Sequence, residues 1–199
     1  MKKTLLNLSV LFALGITPLS DAAPQTAVFA GGCFWGVDAV FKHVKGVSEV
    51  VSGYAGGTAI TARYELVSNG DTGHAEAVKI SFDDARISYA QLLQVFFSVA
   101  HNPTELNRQG NDVGTQYRSA IFYTSAAQQQ QAQNSVATLS KAKIFSAPIV
   151  TQLTPLLAFY PAENYHQNYL ALHLSQPYIV HHDLPKLSAL QKTFPQLYQ

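Results

Sequence analysis

Cys33 is the only cysteine in the sequence, and it stands in the run F-A-G-G-C-F-W-G at Phe29–Gly36, beside Trp35, the only tryptophan. Two glycines precede it and an amphipathic run follows (Phe34, Val37, Val40, Phe41, Val44). Thr26–Ala30 before it reads as a short buried strand, so the spacing puts Cys33 where a strand turns through glycines into a helix. Free N–H groups and the positive end of the helix dipole favour thiolate over thiol there, which predicts a nucleophile of lowered pKa. The bland alternative is a buried structural cysteine, since free cysteine is among the most buried residue types.

His74-Ala75-Glu76 opens an alternating stretch, which places His74 and Glu76 on one face of a strand. Flanked by Ala75 and Ala77, Glu76 reads as partly buried, with a raised pKa and the character of a general acid; a surface glutamate at a strand edge is the competing reading. H-x-E also begins a zinc deaminase signature, but that needs a later C-x-x-C, which one cysteine cannot supply. His101, His166 and the pair His181-His182 are scattered without metal-ligand spacing, and no metal is predicted. His181-His182-Asp183 reads as solvated. Tyr64, Tyr117 and Tyr165 border glycine-rich or polar loops, where a tyrosine is more often a packing residue with a wet hydroxyl.

The elements that must position these groups follow in order. Lys45-Gly46 stops the Cys33 helix, and Val47–Tyr54 reads as a strand. Arg63–Gly73 begins with a helical turn and ends in turn residues. His74–Asp83 is a strand, and Ser88–Ala100 a helix capped by Ser88. His101–Gln116 is a long polar loop of the kind that carries function. Tyr117–Tyr123 is a strand, and Ser125–Lys141 a helix with Gln128–Gln131 on its wet side. Pro148–Phe159 holds one or two strands, Ala162–Leu172 a short helix, and Gln176–Gln199 is an irregular tail with three prolines. Two β–α–β groupings argue for a mixed sheet with helices packed on it.

Residues 1–22 read as a cleavable signal peptide: Lys2 and Lys3, an uncharged apolar Leu5–Leu19, then Ser20-Asp21-Ala22 with cleavage after Ala22. This implies export, to the periplasm, with secretion or an uncleaved membrane anchor as alternatives. Residues 23–199 form one domain. Without the leader, the thirteen basic and twelve acidic side chains become eleven of each, so no basic stripe invites nucleic acid. The lone cysteine excludes an internal disulfide, and a lone thiol in an exported protein is a liability unless it works. The sole methionine is Met1, so the mature chain has none to oxidise.

The chain resembles the peptide-methionine sulfoxide reductases of the A type. The matching motifs are G-C-F-W-G at Gly32–Gly36, G-Y-A-G-G at Gly53–Gly57, Tyr64 followed by T-G-H-A-E at Thr72–Glu76, R-Q-G-N-D-V-G-T-Q-Y-R-S at Arg108–Ser119, and Y-H-Q-N-Y at Tyr165–Tyr169. They run in the family order from Thr26 to about Leu172. The resemblance implies an α+β fold, a two-layer sandwich of the ferredoxin-like type. It also implies reduction of the S epimer of methionine sulfoxide, peptide-bound or free, through a sulfenic acid. Carried over by position, Cys33 attacks the sulfoxide sulfur, Glu76 protonates its oxygen, and Tyr64 and Tyr117 hydrogen-bond that oxygen. Phe34 and Trp35 wall in the methyl group, Asp112 contacts the substrate, and Gly32 and Gly36 allow close approach around the thiol.

Many members carry further cysteines near the C-terminus that resolve the sulfenic acid; this chain has none. No bound cofactor is implied. The partner is an external thiol reductant: a thioredoxin-like protein, a glutaredoxin-like protein or a small thiol. A monomer is expected. Asn102 and Asn164 replace residues common in the family and are expected to alter loop contacts, not activity. Two other readings stay open. One is a cysteine hydrolase with His74 or His166 as base, which needs a histidine within hydrogen-bond reach of Cys33. The other is a catalytically silent sulfoxide-binding module.

Overall fold

A computed structural model describes residues 24–199. The leader expected at residues 1–22 lies outside the described residues.

Alternation of small and large apolar residues builds the central strands. In β1 (Gln25–Gly31), Ala27 and Phe29 face one side and Val28 and Ala30 the other, all buried. Helix α1 (Phe34–Lys42) follows, then β2 (Val47–Ala55) and, after the single helical turn α2 (Tyr64–Val67), β3 (Ala75–Phe82). Ser88 caps α3 (Tyr89–Val95): its hydroxyl accepts from Gln91 N–H while the Gln91 side chain accepts from Ser88 N–H, a capping box. α3 widens into a π turn at Phe96–Ala100. The long loop is not wholly irregular, for β4 (Arg108–Gln109) and β5 (Asp112–Val113) form a small hairpin in it. A one-turn 3-10 helix at Thr115–Tyr117 precedes β6 (Ser119–Tyr123), so Tyr117 sits in a turn and not in the strand expected from Tyr117.

The sheet order is β7-β6-β1-β3-β2-β8. Each of its four central strands is antiparallel to its neighbours among them. With α1 and α3 between them, they follow the β-α-β-β-α-β succession of a ferredoxin-like sandwich, as the resemblance implied. Helix α4 (Ala126–Lys141) crosses over to β7 (Gln152–Pro155), which lies parallel to β6, and β8 (Phe159–Pro161) extends the other edge. Helices cover one face, where Phe29, Phe34, Phe41, Phe82 and Phe96 form the main core. The other face is lined by Val28, Ala30, Ala55, Ala75, Ala77, Ala120 and Phe122 under Leu156 and Phe159. Gln128 is not on the wet side of α4: it is buried, donating through Nε2 to Thr26 O at 2.7 Å.

Two expectations for the C-terminal third are corrected. Ala162–Leu172 is not one helix, because Asn168 adopts a left-handed conformation (φ 56°) between a turn at Asn164–His166 and the four-residue α5 (Tyr169–Leu172). Nor is Gln176–Gln199 irregular. A π turn at Ile179–Asp183 runs into α6 (Leu184–Thr193), which buries Leu190 and packs on α1. The prolines that suggested disorder punctuate instead: Pro185 lies in the first turn of α6, where no N–H partner is lost, and Pro195 follows its end. No helix of the described residues is long and apolar enough to cross a membrane.

Candidate active site

Cys33 takes the N-cap position of α1, with φ −54° and ψ 126°. The chain reaches it through Gly32 at φ +89°, a left-handed conformation in which an added Cβ would also lie 2.6 Å from the Gln109 side chain. Only glycine fits there, which explains the residue before the thiol. Cys33 is 8% exposed at the floor of a cavity of about 140 Å³, lined also by Phe34, Trp35, Tyr64, Glu76, Asp112, Tyr117 and Tyr178. The seven residues to which the resemblance gave contacts with the substrate therefore meet in one cavity. Larger surface grooves, about 530 Å³ beside β2 and 390 Å³ between α3 and α4, hold no cysteine or histidine.

Glu76 enters from β3 on the helix-covered face and is 2% exposed. Its Oε2 accepts from the Phe34 N–H at 3.0 Å, so the carboxyl occupies a free amide at the start of α1. Burial pushes its pKa up to about 8; the Phe34 amide opposes the rise, Asp112 adds to it, and a hydrogen bond with Cys33 opposes it. A protonated carboxylic acid at neutral pH thus lies against the thiol.

The ionisation expected of Cys33 is corrected. Its thiol is pushed well above its ordinary value, first by burial and then by the charges of Glu76 and Asp183; the Trp35 amide favours the thiolate, and Asp112 disfavours it. The magnitudes decide the direction. A helix terminus contributes roughly 0.3–2 kcal/mol, whereas burial shifts ionisable groups by up to about 3–5 pKa units, at about 1.4 kcal/mol each. The helix start remains a source of N–H donors, but it does not set the resting charge.

Each wall has its own support. Trp35 stacks on Tyr169 with centroids 3.7 Å apart and donates its indole N–H to His166 Nδ1 at 3.2 Å. Tyr64 starts α2, and its backbone N–H donates to Glu163, whose other oxygen accepts from the Tyr54 hydroxyl. Tyr117 is held in its turn by Arg118, whose guanidinium donates to the carbonyls of Gly73, His74 and Thr115 and so ties that turn to the segment entering β3. Asp112, on β5, accepts from the Tyr178 hydroxyl. Burial raises the pKa of Tyr64, Tyr117 and Tyr178, which keeps their hydroxyls protonated as donors.

Tyr178 and Asp183 were missed by sequence reasoning. Both come from the segment read as an irregular, solvated tail, and Asp183 is wholly buried. The one signal was the proline spacing, which brackets a helix. His74 does not join the cavity: its ring bonds Gly57 N and Thr58 O. His166 is occupied with Trp35, and among the described residues no histidine is hydrogen-bonded to Cys33. Among these residues no group of three or more histidine, cysteine, aspartate or glutamate side chains could hold a metal.

Comparison with known proteins shows the family. A family model described as peptide methionine sulfoxide reductase matches residues 25–197. The chain is 59% identical over 179 residues to peptide methionine sulfoxide reductase MsrA 2 of Mesorhizobium japonicum, covering 89% of this chain and 92% of that one. Among solved structures, reduced Mxr1 of Saccharomyces cerevisiae superposes with a TM-score of 0.71 at 30% identity, over 79% of this chain and 90% of that one. Methionine sulfoxide reductase A of Corynebacterium diphtheriae does so with a TM-score of 0.68 at 32% identity, over 79% and 78%.

Proposed function

The chain belongs to the peptide methionine sulfoxide reductase family, and from that premise we propose how its own residues carry the reaction. The enzyme reduces methionine sulfoxide to methionine. The observation that carries the reading is the pairing of a lone cysteine with a buried carboxylic acid whose pKa is raised to about 8.

A sulfoxide sulfur is a poor electrophile until its oxygen is protonated. With the oxygen directed at Glu76, Tyr64 and Tyr117, the methyl group against Phe34 and Trp35, and the substrate chain beside Asp112, the sulfur lies over Cys33. Glu76 protonates the oxygen, and the Cys33 sulfur bonds to the substrate sulfur. The thiol proton returns to the carboxylate. Oxygen transfer to Cys33 then releases methionine and leaves a sulfenic acid: the substrate is reduced by two electrons and the cysteine oxidised by two. Because methyl, oxygen and substrate chain each have a different wall, the site accepts one epimer, which the family resemblance gives as S. The chain holds no second cysteine, so an external thiol attacks the sulfenic sulfur and expels water. A second thiol, from a thioredoxin-like or glutaredoxin-like protein or a small thiol, releases the free Cys33 as a disulfide leaves.

A single-turnover experiment tests this. Pre-reduced protein, freed of reductant and mixed with excess peptide sulfoxide, gives one methionine per chain and a sulfenic acid at Cys33 that a dione probe traps. More than one methionine per chain without added thiol, or modification elsewhere, contradicts it.

The basic-then-apolar leader supports export of the chain to the periplasm. N-terminal sequencing of protein recovered from that compartment should begin at Ala23, and recovery of intact protein in the cytoplasm alone would count against it.

A further inference from the structure

Asp183 touches none of the proposed reacting atoms, yet its carboxylate is completely buried. Oδ1 accepts from Lys186 Nζ at 3.2 Å, and Oδ2 has no partner among the described residues. Its seat is the first turn of the nucleophile's helix. A Cβ built on Gly36 would lie 2.1 Å from Asp183 Oδ1 and 2.6 Å from Lys186 Nζ, so the last glycine of G-C-F-W-G makes room for this ion pair. A buried carboxylate with one oxygen unsatisfied is unfavourable for folding. Its Oδ1 stands against Gly36, three residues after Cys33 in the first turn of the same helix.

We propose that Asp183 is a positioning residue whose buried negative charge, held at the foot of α1 by Lys186, keeps Cys33 in its thiol form until a sulfoxide enters the cavity. The inference rests on Cys33 being the reductase nucleophile, but its test reads the thiol and not turnover. A thiolate, not a thiol, reacts with alkylating agents and peroxides. With no resolving cysteine in the chain, a resting thiolate would be exposed to irreversible oxidation. The positive end of a bound sulfoxide's S–O dipole, placed over the sulfur, would offset the carboxylates at the moment ionisation is needed.

The titratable groups that line the cavity with Cys33 are Glu76 from β3, Asp112 from β5, Tyr64 from α2, Tyr117 from the turn before β6 and Tyr178 from the C-terminal segment; Asp183 acts from behind the first turn of α1, and the Trp35 amide is the donor that favours thiolate. Burial raises the pKa of Asp183 itself; Lys186 and then His182 oppose that rise and hold the carboxylate charged, while Asp112 adds to it. With Glu76 held protonated at neutral pH, Asp183 is the carboxyl that most disfavours the Cys33 thiolate.

The test is the pH dependence of Cys33 alkylation by iodoacetamide in the whole chain and in Asp183→Asn and Lys186→Gln. The Asp183→Asn midpoint should fall by about one unit, since a buried like charge removed at short range acts on that order. That gives about tenfold more thiolate below the midpoint and, after the loss of intrinsic nucleophilicity, roughly threefold faster alkylation. Lys186→Gln leaves the carboxylate uncompensated, and its midpoint should stay or rise. An unchanged or raised midpoint in folded Asp183→Asn overturns the proposal. So does a fall in both variants, which would make the pair only a tether for the tail. If Asp183→Asn does not fold, a fall in Lys186→Gln alone is sufficient to reject it. A shifted midpoint in a protein that turns over no sulfoxide would instead reject the reductase assignment of Cys33 while leaving the role of Asp183 intact.

Discussion

Glu76 combines a folding cost with a chemical use. Its carboxyl is held neutral by burial, with a pKa of about 8 against an ordinary 4.5. As the proposed acid it must be protonated, so kcat/KM should be present below about pH 8 and fall as pH rises through that value. Glu76→Gln should lower kcat/KM by about 10²–10⁴-fold, the usual range for losing a general acid, and should remove that alkaline limb; a variant retaining both rate and limb contradicts the assignment. The same shift has a stability consequence of fixed sign. A folded-state pKa above the unfolded one contributes stability that is full below about pH 4.5 and is lost as pH rises through about 8. Thermal melts of Glu76→Gln should therefore gain on wild type between those limits and level off above them, and no gain would mean the carboxyl is not desolvated. At this scale the sequence revealed Cys33 and Glu76 through the glycines before the thiol and the alanines flanking the carboxyl. It did not reveal Asp183, because a carboxylate beside two histidines looks solvated until a helix folds over it.

Elements carry the geometry, and two substitutions probe them. Gly36 lies in the first turn of α1 against the Asp183–Lys186 pair, so Gly36→Ala forces the segment before α6 away from the nucleophile's helix. Overpacking of this kind costs about 1–3 kcal/mol. Denaturant unfolding should show that loss together with faster alkylation of Cys33, and a variant as stable as wild type would mean the tail yields freely. Ser88→Ala removes a capping box outside the cavity lining. It should cost about 1 kcal/mol and leave kcat/KM alone; a loss of activity would show α3 to be coupled to the site. Local rules made the strands β1, β2, β3 and β6 legible, since alternation and caps are properties of neighbours in sequence. They failed for α5 and α6. The first is broken by a left-handed Asn168 that no pattern announces, and the second is amphipathic only in relation to α1.

The whole molecule is a ferredoxin-like sandwich in which a strand-to-helix turn, two later loops and the C-terminal segment converge on one thiol. The convergence was visible only through resemblance, because contacts between Phe34 and Glu76, or Trp35 and His166, span 42 and 131 residues. With a single cysteine, no disulfide supports the fold, and the melting temperature should be the same with and without dithiothreitol; a difference would reveal covalent pairing between chains. The most direct measurement is turnover of the two separated epimers of a peptide methionine sulfoxide with dithiothreitol, for wild type and Cys33→Ser. Reduction of the S epimer alone, abolished in Cys33→Ser, is the expected result. Consumption of both epimers, or activity surviving without the thiol, would contradict a site in which Cys33, Glu76 and the aromatic wall each take one substituent of the sulfur.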